Sequence, residues 1–217
     1  MTIVYKLTNQ EMQTGVSPPA KLTRWVIGEK QTASGKGNLC GRGWLHAYIH
    51  PLLANFLNPI HANFSNPRLF ECEGFIGKDD NGLKIGCTEL TILKEIPLDK
   101  ISTNQRVAFC ILCAKEVYNN EEWNTWANNW LSGKDRSLTA AGRQVRATAG
   151  RQVRAAEAAG AEARAAAGAA AGAGLREALR GEAEVRAAAG AARAADANKI
   201  NSPLNLIALA NIAMTYR

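Results

Sequence analysis

Three histidines, His46, His50 and His61, fall within one 30-residue stretch, Leu39 to Arg68, that also holds Cys40. Imidazole and thiolate are the mixed ligands that zinc accepts. The i, i+4 spacing of His46 and His50 would bring both to one helix face. On a strand the same two residues would share a face but stand far apart. A nucleophilic arrangement needs a base and an orienting group, and Cys40 with His46 or His61 and Asn63 supplies those types without a spacing that enforces them. Backbone hydrogen bonding by the imidazoles in a Pro- and Asn-rich segment is the stronger reading. No metal and no cofactor is therefore assigned.

The remaining chemistry-bearing residues read similarly. Cys110 and Cys113 form a CxxC, but a redox pair sits at a helix N-terminus, and this one falls mid-helix, so buried thiols are expected. Cys72 and Cys87 are placed to face each other across a hairpin. Glu71 and Glu73 flank Cys72 and share the solvated face of a strand. The segment SGKGN, Ser34 to Asn38, lacks the Walker spacing and reads as a flexible turn.

These residues need a scaffold. Short strands are predicted at 3–7, 25–27, 69–75, 83–87 and 90–96 from β propensity and flanking turn residues. Residues 14–19 read as a loop, since Pro18 and Pro19 cannot donate to a ladder. Gly41 and Gly43 allow a tight turn. Residues 44–48 are open between strand and first helical turn. A short helix follows Pro51 and is expected to end at Pro59. Lys78 to Gly82, KDDNG, carries the Asn-Gly signal of a type I′ hairpin.

The period changes near Ser102. Val107, Ile111 and Ala114 mark a helix that Ser102 or Thr103 can cap, with Val117 widening its apolar stripe. Trp123, Trp126, Ala127 and Trp130 stand at i, i+3, i+4 and i+7 of a second helix, and Gly133 can end it. Three tryptophans on one face read as a core or docking surface. An alanine-rich tract then continues as helices at 137–171, 175–197 and 203–216, the last capped by Ser202 with Pro203 at its first position. The fold class is α+β: a small, mostly antiparallel sheet domain at 1–100, then an alanine/glycine-rich helical region at 101–217.

Glycines 142, 150, 160 and 168 recur inside the tract, each costing about 0.5–1 kcal/mol in a helix. Gly142, Gly150, Gly160 and Gly168 are read as sites where helix backbones meet closely. A partner protein or a second copy would cover them. Lys and Arg total 26 against 19 Asp and Glu, and +5 of the net +7 lies between Arg136 and Lys199. Arg143, Arg146, Arg151 and Arg154 form a broad basic band, for which solvation outweighs phosphate contact. Nucleic acid is a possible partner. No stretch has the roughly 20 apolar residues that cross a bilayer, so no membrane is expected.

Several of these residues carry resemblances. Tyr5-Lys6, Leu39-Cys40, Gly43 to Ala47 and Leu93 to Ile96 make residues 1–100 resemble the DUF7666 family, a small domain of unknown function in bacterial and phage proteins. That resemblance implies a fold and no reaction. Trp126-Ala127, Trp130 to Gly133, Asp135 to Ser137 and Leu206 to Ala210 resemble an alanine-rich helical module of immunity-protein type, although this chain has glycines where alanine or larger residues are expected. That resemblance implies a protein partner. The expected function is thus non-enzymatic interaction or assembly, with Trp123, Trp126 and Trp130 anchoring the junction. Nucleic-acid binding by the basic helices and a small metal- or cysteine-dependent enzyme centred on Cys40 to His61 are the alternatives. An odd cysteine count and no signal peptide place the chain in the cytoplasm of a bacterium or phage-infected cell, with a virion also possible.

Overall fold

The computed structural model describes residues 1–15, 22–79, 82, 84–116, 121–136 and 205–216. The helices expected at 137–171 and 175–197, Ser202, Pro203 and Val117 lie outside the described residues, as do all four tract glycines and all four tract arginines named above. The chain divides into two units, Met1–Ile101 with Pro203–Asn211, and Ser102–Ser202 with Ile212–Arg217. The fold is α+β, an antiparallel sheet followed by helices.

The first unit is built on β1 (Thr2–Thr8), β6 (Arg68–Asp79) and β7 (Ile85–Ile96). Between β1 and β6 lie β2 (Gln13–Thr14), β3 (Thr23–Arg24), β4 (Lys30–Thr32), β5 (Leu45–Ala47) and helix α1 (Pro51–His61). The main sheet runs β1-β6-β7-β4, and β5 also pairs with β7. Both edges then meet. Tyr48, one residue beyond β5, exchanges two backbone hydrogen bonds of 2.8 Å with Tyr5 of β1. This bridge closes the ring β1-β6-β7-β5 and covers part of the outer edge of β1. Three register shifts between β6 and β7 supply the bend that closure requires.

Alternation sets the interior. Val4, Cys72 and Ile92 lie opposite one another across three strands, and Lys6 lies opposite Phe70. With Trp25, Ala47, Ile85, Cys87 and Leu90 the apolar members make one core. Helix α1 packs on β1 and buries Leu53, Ala54, Phe56 and Leu57. Exposed ion pairs Arg68–Glu95, Lys30–Glu89 and Lys94–Glu71 lie along the sheet. Each contributes at most about 1 kcal/mol.

Several sequence expectations are corrected. β7 is one strand, where two were expected at 83–87 and 90–96. Pairing with β6 resumes on both sides of a register shift at Thr88, with Glu89 opposite Phe75 and Cys87 opposite Ile76, so the strand runs through. Trp25 is not in a strand; β3 stops at Arg24, and Trp25 turns into the core, its Nε1 donating to Thr14 Oγ1 at 2.8 Å. Helix α1 runs through Pro59 to His61 at the cost of the one helical hydrogen bond that Pro59 cannot donate. Residues 45–47 are strand, which settles the open choice there. The hairpin pairing ends at Asp79↔Ile85, so its connection is longer than a two-residue turn. Asp80 and Asn81 lie outside the described residues, and Gly82 has the positive φ expected of it.

In the second unit α2 (Thr103–Lys115) packs on α3 (Glu121–Leu131). Ser102 caps α2: its Oγ accepts from the Gln105 N–H while the Gln105 side chain accepts from the Ser102 N–H, a reciprocal capping box. The last described helix, α4 (Leu206–Ala213), is capped by Asn205, whose side chain accepts the Ala208 N–H at 3.0 Å. Among the described residues no helix is long and apolar enough to cross a membrane.

Gly43 tests the loop ahead of β5. A Cβ there would stand 1.9 Å from the backbone oxygen of Lys36, which cannot swing away as a side chain can. Gly43→Ala is expected to lower stability by about 2 kcal/mol in urea denaturation. Gly41→Ala, whose Cβ would meet a carbonyl at 3.0 Å, should cost less.

Candidate functional site

Lys6 is the chemical anomaly of the first unit. It occupies an inward position of β1 between Val4 and Thr8, and only 4% of its surface is exposed. An ammonium so placed must replace its lost water. Its Nζ donates to the His46 carbonyl at 2.7 Å and lies 4.4 Å from the centre of the Trp25 ring. The Cys72 and Cys87 thiols are close enough to interact with it electrostatically. Burial dominates, and lowers the Lys6 pKa from 10.5 to about 8. A lysine of that kind is partly neutral near physiological pH and so a potential nucleophile or base. Here it is enclosed by the ring.

The three histidines are held at three separate places. His46 sits in β5, and its Nε2–H donates to the Leu39 carbonyl. A carbonyl can only accept, so that contact sets the tautomer. Burial lowers the His46 pKa, against the opposing effect of that hydrogen bond. His50 is the N-cap of α1, its Nδ1 accepting from the Leu52 N–H at 3.3 Å. His61 ends α1 and stacks on Tyr48, with ring centroids 5.8 Å apart and Nδ1 3.1 Å from the phenol oxygen. The helical i, i+4 pairing of His46 and His50 does not form, because the chain changes from strand to helix between them. Among the described residues no group of three or more His, Cys, Asp or Glu is placed to hold a metal ion.

The thiols divide sharply. Burial pushes Cys72 up to about 12, Cys87 to about 11 and Cys110 to about 12, and raises Cys113 as well. Cys110 and Cys113 lie mid-helix in α2, where no helix N-terminus activates them. Cys72 and Cys87 are not opposite one another: Cys72 pairs with Ile92 and Cys87 with Ile76. Cys40 alone is exposed, and its partner is not a histidine but Lys84, whose Nζ is 3.0 Å from the sulfur. The combination of Cys40, His46 and Asn63 is thus not assembled, since Asn63 belongs to the turn after α1.

This arrangement, from β1 to the end of β7, coincides with a known sequence family: residues 2–104 match the family described as Domain of unknown function (DUF7666). The chain carries an N-terminal DUF7666 domain. No curated protein and no solved structure matches the chain.

Outside the DUF7666 domain, Trp126 is half-buried and Trp130 is buried at 3% exposure, so Trp130 is a packing residue of its own unit. The Arg136 guanidinium lies 4.9 Å from the Trp130 ring centre, and its Nε donates to the Trp130 carbonyl. The side chain of Trp123 lies outside the described residues.

Sequence reasoning passed over Lys6. The available signal was its inward register among Val4 and Thr8, but that register is informative only once the strand's other side is known to be covered.

Two outcomes follow for the DUF7666 domain. Between pH 8 and 10.5 the unfolded chain holds the Lys6 proton and the folded chain does not, so Lys6 makes stability rise with pH. The buried thiols have raised values and act oppositely above about pH 9. Comparison with Lys6→Met removes the part of the thiol contribution common to both proteins, and the change left in Cys72 and Cys87 is their own coupling to Lys6: the stability of the variant relative to the parent should fall by about 2 kcal/mol between about pH 7 and pH 9.5 in urea titrations. Separately, an aromatic disulfide reagent should label one thiol per native chain and none in Cys40→Ser, with the other four reacting only after unfolding.

Proposed function

We propose that the chain is a non-enzymatic protein-interaction or assembly component. The DUF7666 domain is its rigid body, and the alanine- and glycine-rich region is the part that meets a partner protein or another copy. One observation carries the reading: the side chains able to do chemistry are engaged in holding the fold. Lys6 is enclosed, His46, His50 and His61 each serve a separate local contact, and four of five thiols are buried.

The immunity-protein-like resemblance of the C-terminal half supports a protein partner. The recurrence of Gly142, Gly150, Gly160 and Gly168 in an alanine-rich sequence supports backbones packed closely at that contact. Five free thiols are compatible with a reducing compartment, and we place the protein in the cytoplasm.

Sedimentation velocity on the full chain tests the assembly form of this reading. A particle larger than one chain is expected, reduced to a single chain by Gly150→Leu with Gly160→Leu. A parent protein that stays a single chain at every concentration excludes self-assembly. Equal assembly of parent and variant removes the glycines from the interface.

A further inference from the structure

We propose that the loop Ser34 to Trp44, with Lys78 and Lys84 beside it, binds single-stranded nucleic acid. This surface belongs to the DUF7666 domain and is independent of the alanine-rich region. The loop reads SGKGNLCGRGW. Gly35 and Gly37 have φ of +68° and +84°, and the Gly35 N–H donates to the Gly43 carbonyl at 2.9 Å, which ties the two ends of the loop together. Trp44 packs against the strands at two glycines. A Cβ at Gly77 would stand 2.7 Å from its ring and one at Gly86 3.0 Å. The indole Nε1 donates to the Gly37 carbonyl at 3.2 Å. The ring is partly exposed beside the loop it anchors.

Four cations lie on this loop or reach it from the sheet. Lys36 and Arg42 are exposed on the loop. Lys78 reaches from β6 to the Gly37 carbonyl at 3.3 Å, and Lys84 reaches Cys40 at 3.0 Å. Along the sheet, by contrast, Lys30, Arg68 and Lys94 are each matched to a glutamate. Among the described residues none of the four loop cations has a carboxylate at ion-pair distance. Asp79, next to Lys78, instead accepts the Gly82 N–H at 2.9 Å. A carbonyl dipole and a sulfur orient an ammonium without neutralising it, so the positive potential stays open to solvent.

A chain of phosphates with bases between them fits this surface. Several cations follow the backbone and one aromatic ring offers a stacking surface, the combination by which single strands are held without sequence reading. A duplex is a poorer fit. Its bases are already stacked, and the loop, pinned across its ends, offers no helix or ribbon to enter a groove.

Fluorescence anisotropy of the full chain with a labelled oligothymidylate of about 12 nucleotides tests the proposal. Four phosphate contacts predict a slope of about −3 for log K against log salt. Lys36→Glu with Arg42→Glu should weaken binding at least about tenfold and bring the slope near −1. Lys100→Glu, away from the loop, should change it little, as should Arg143→Glu with Arg146→Glu. If the double reversal melts early, Lys36→Ala and Arg42→Ala singly replace it, each expected to lower affinity about threefold. Binding unaffected by these loop changes, lost in the tract arginine variant, or tighter for a duplex of equal length overturns the proposal.

Discussion

The antiparallel bridge between Tyr5 and Tyr48 is the constraint on which the DUF7666 domain depends. It joins β1 to the end of β5, whose His46 carbonyl accepts from the ammonium of Lys6, while Trp25 lies against the same group. The lysine, on the core face of β1, is an interior charge. The energetic consequence is large, since a buried cation needs a hydrogen-bonding and electrostatic replacement for its hydration.

Closure also explains the length of the central hairpin. β6 and β7 are each 12 residues long, and their register shifts let them curve without loss of pairing beyond the bulges. The curvature turns Gly77 and Gly86 toward Trp44, whose ring fits only because neither position carries a side chain. The loop that follows from this contact holds its cations outward. Positive charge thus has two fates in one small domain: Lys6 is enclosed and weakened as a cation, while Lys36 and Arg42 stand in solvent.

The second unit rests on different physics. Ser102 and Gln105 complete each other's backbone hydrogen bonds at the start of α2, and the Gln105 side chain also donates to the Met214 carbonyl. Trp130 closes α3 from beneath, with Arg136 laid over its ring. Val107, Phe109 and Ile111 are buried there alongside Ala108 and Ala127.

The periodic features of this protein were legible in its residues. The β propensity of Ile3 to Leu7, the period of α2 and α3, Ser102 as a cap and Gly82 as a turn residue are local, and local backbone preference is written in neighbouring side chains. Their consequence, an α+β fold with an antiparallel sheet, followed from them. What only tertiary structure decided was which strands meet and what they enclose. Leu83 to Ile96 reads as two strands, and β7 becomes one strand only because pairing with β6 resumes beyond its register shifts. Whether His46 and His50 share a helix face or stand apart is open in the sequence, and the recruitment of β5 by β7 decides it. Lys6 reads as an ordinary strand lysine, and the His46 carbonyl that meets its ammonium lies far along the chain. Pairings of that range leave no local mark, because the groups that make them are backbone amides common to every residue.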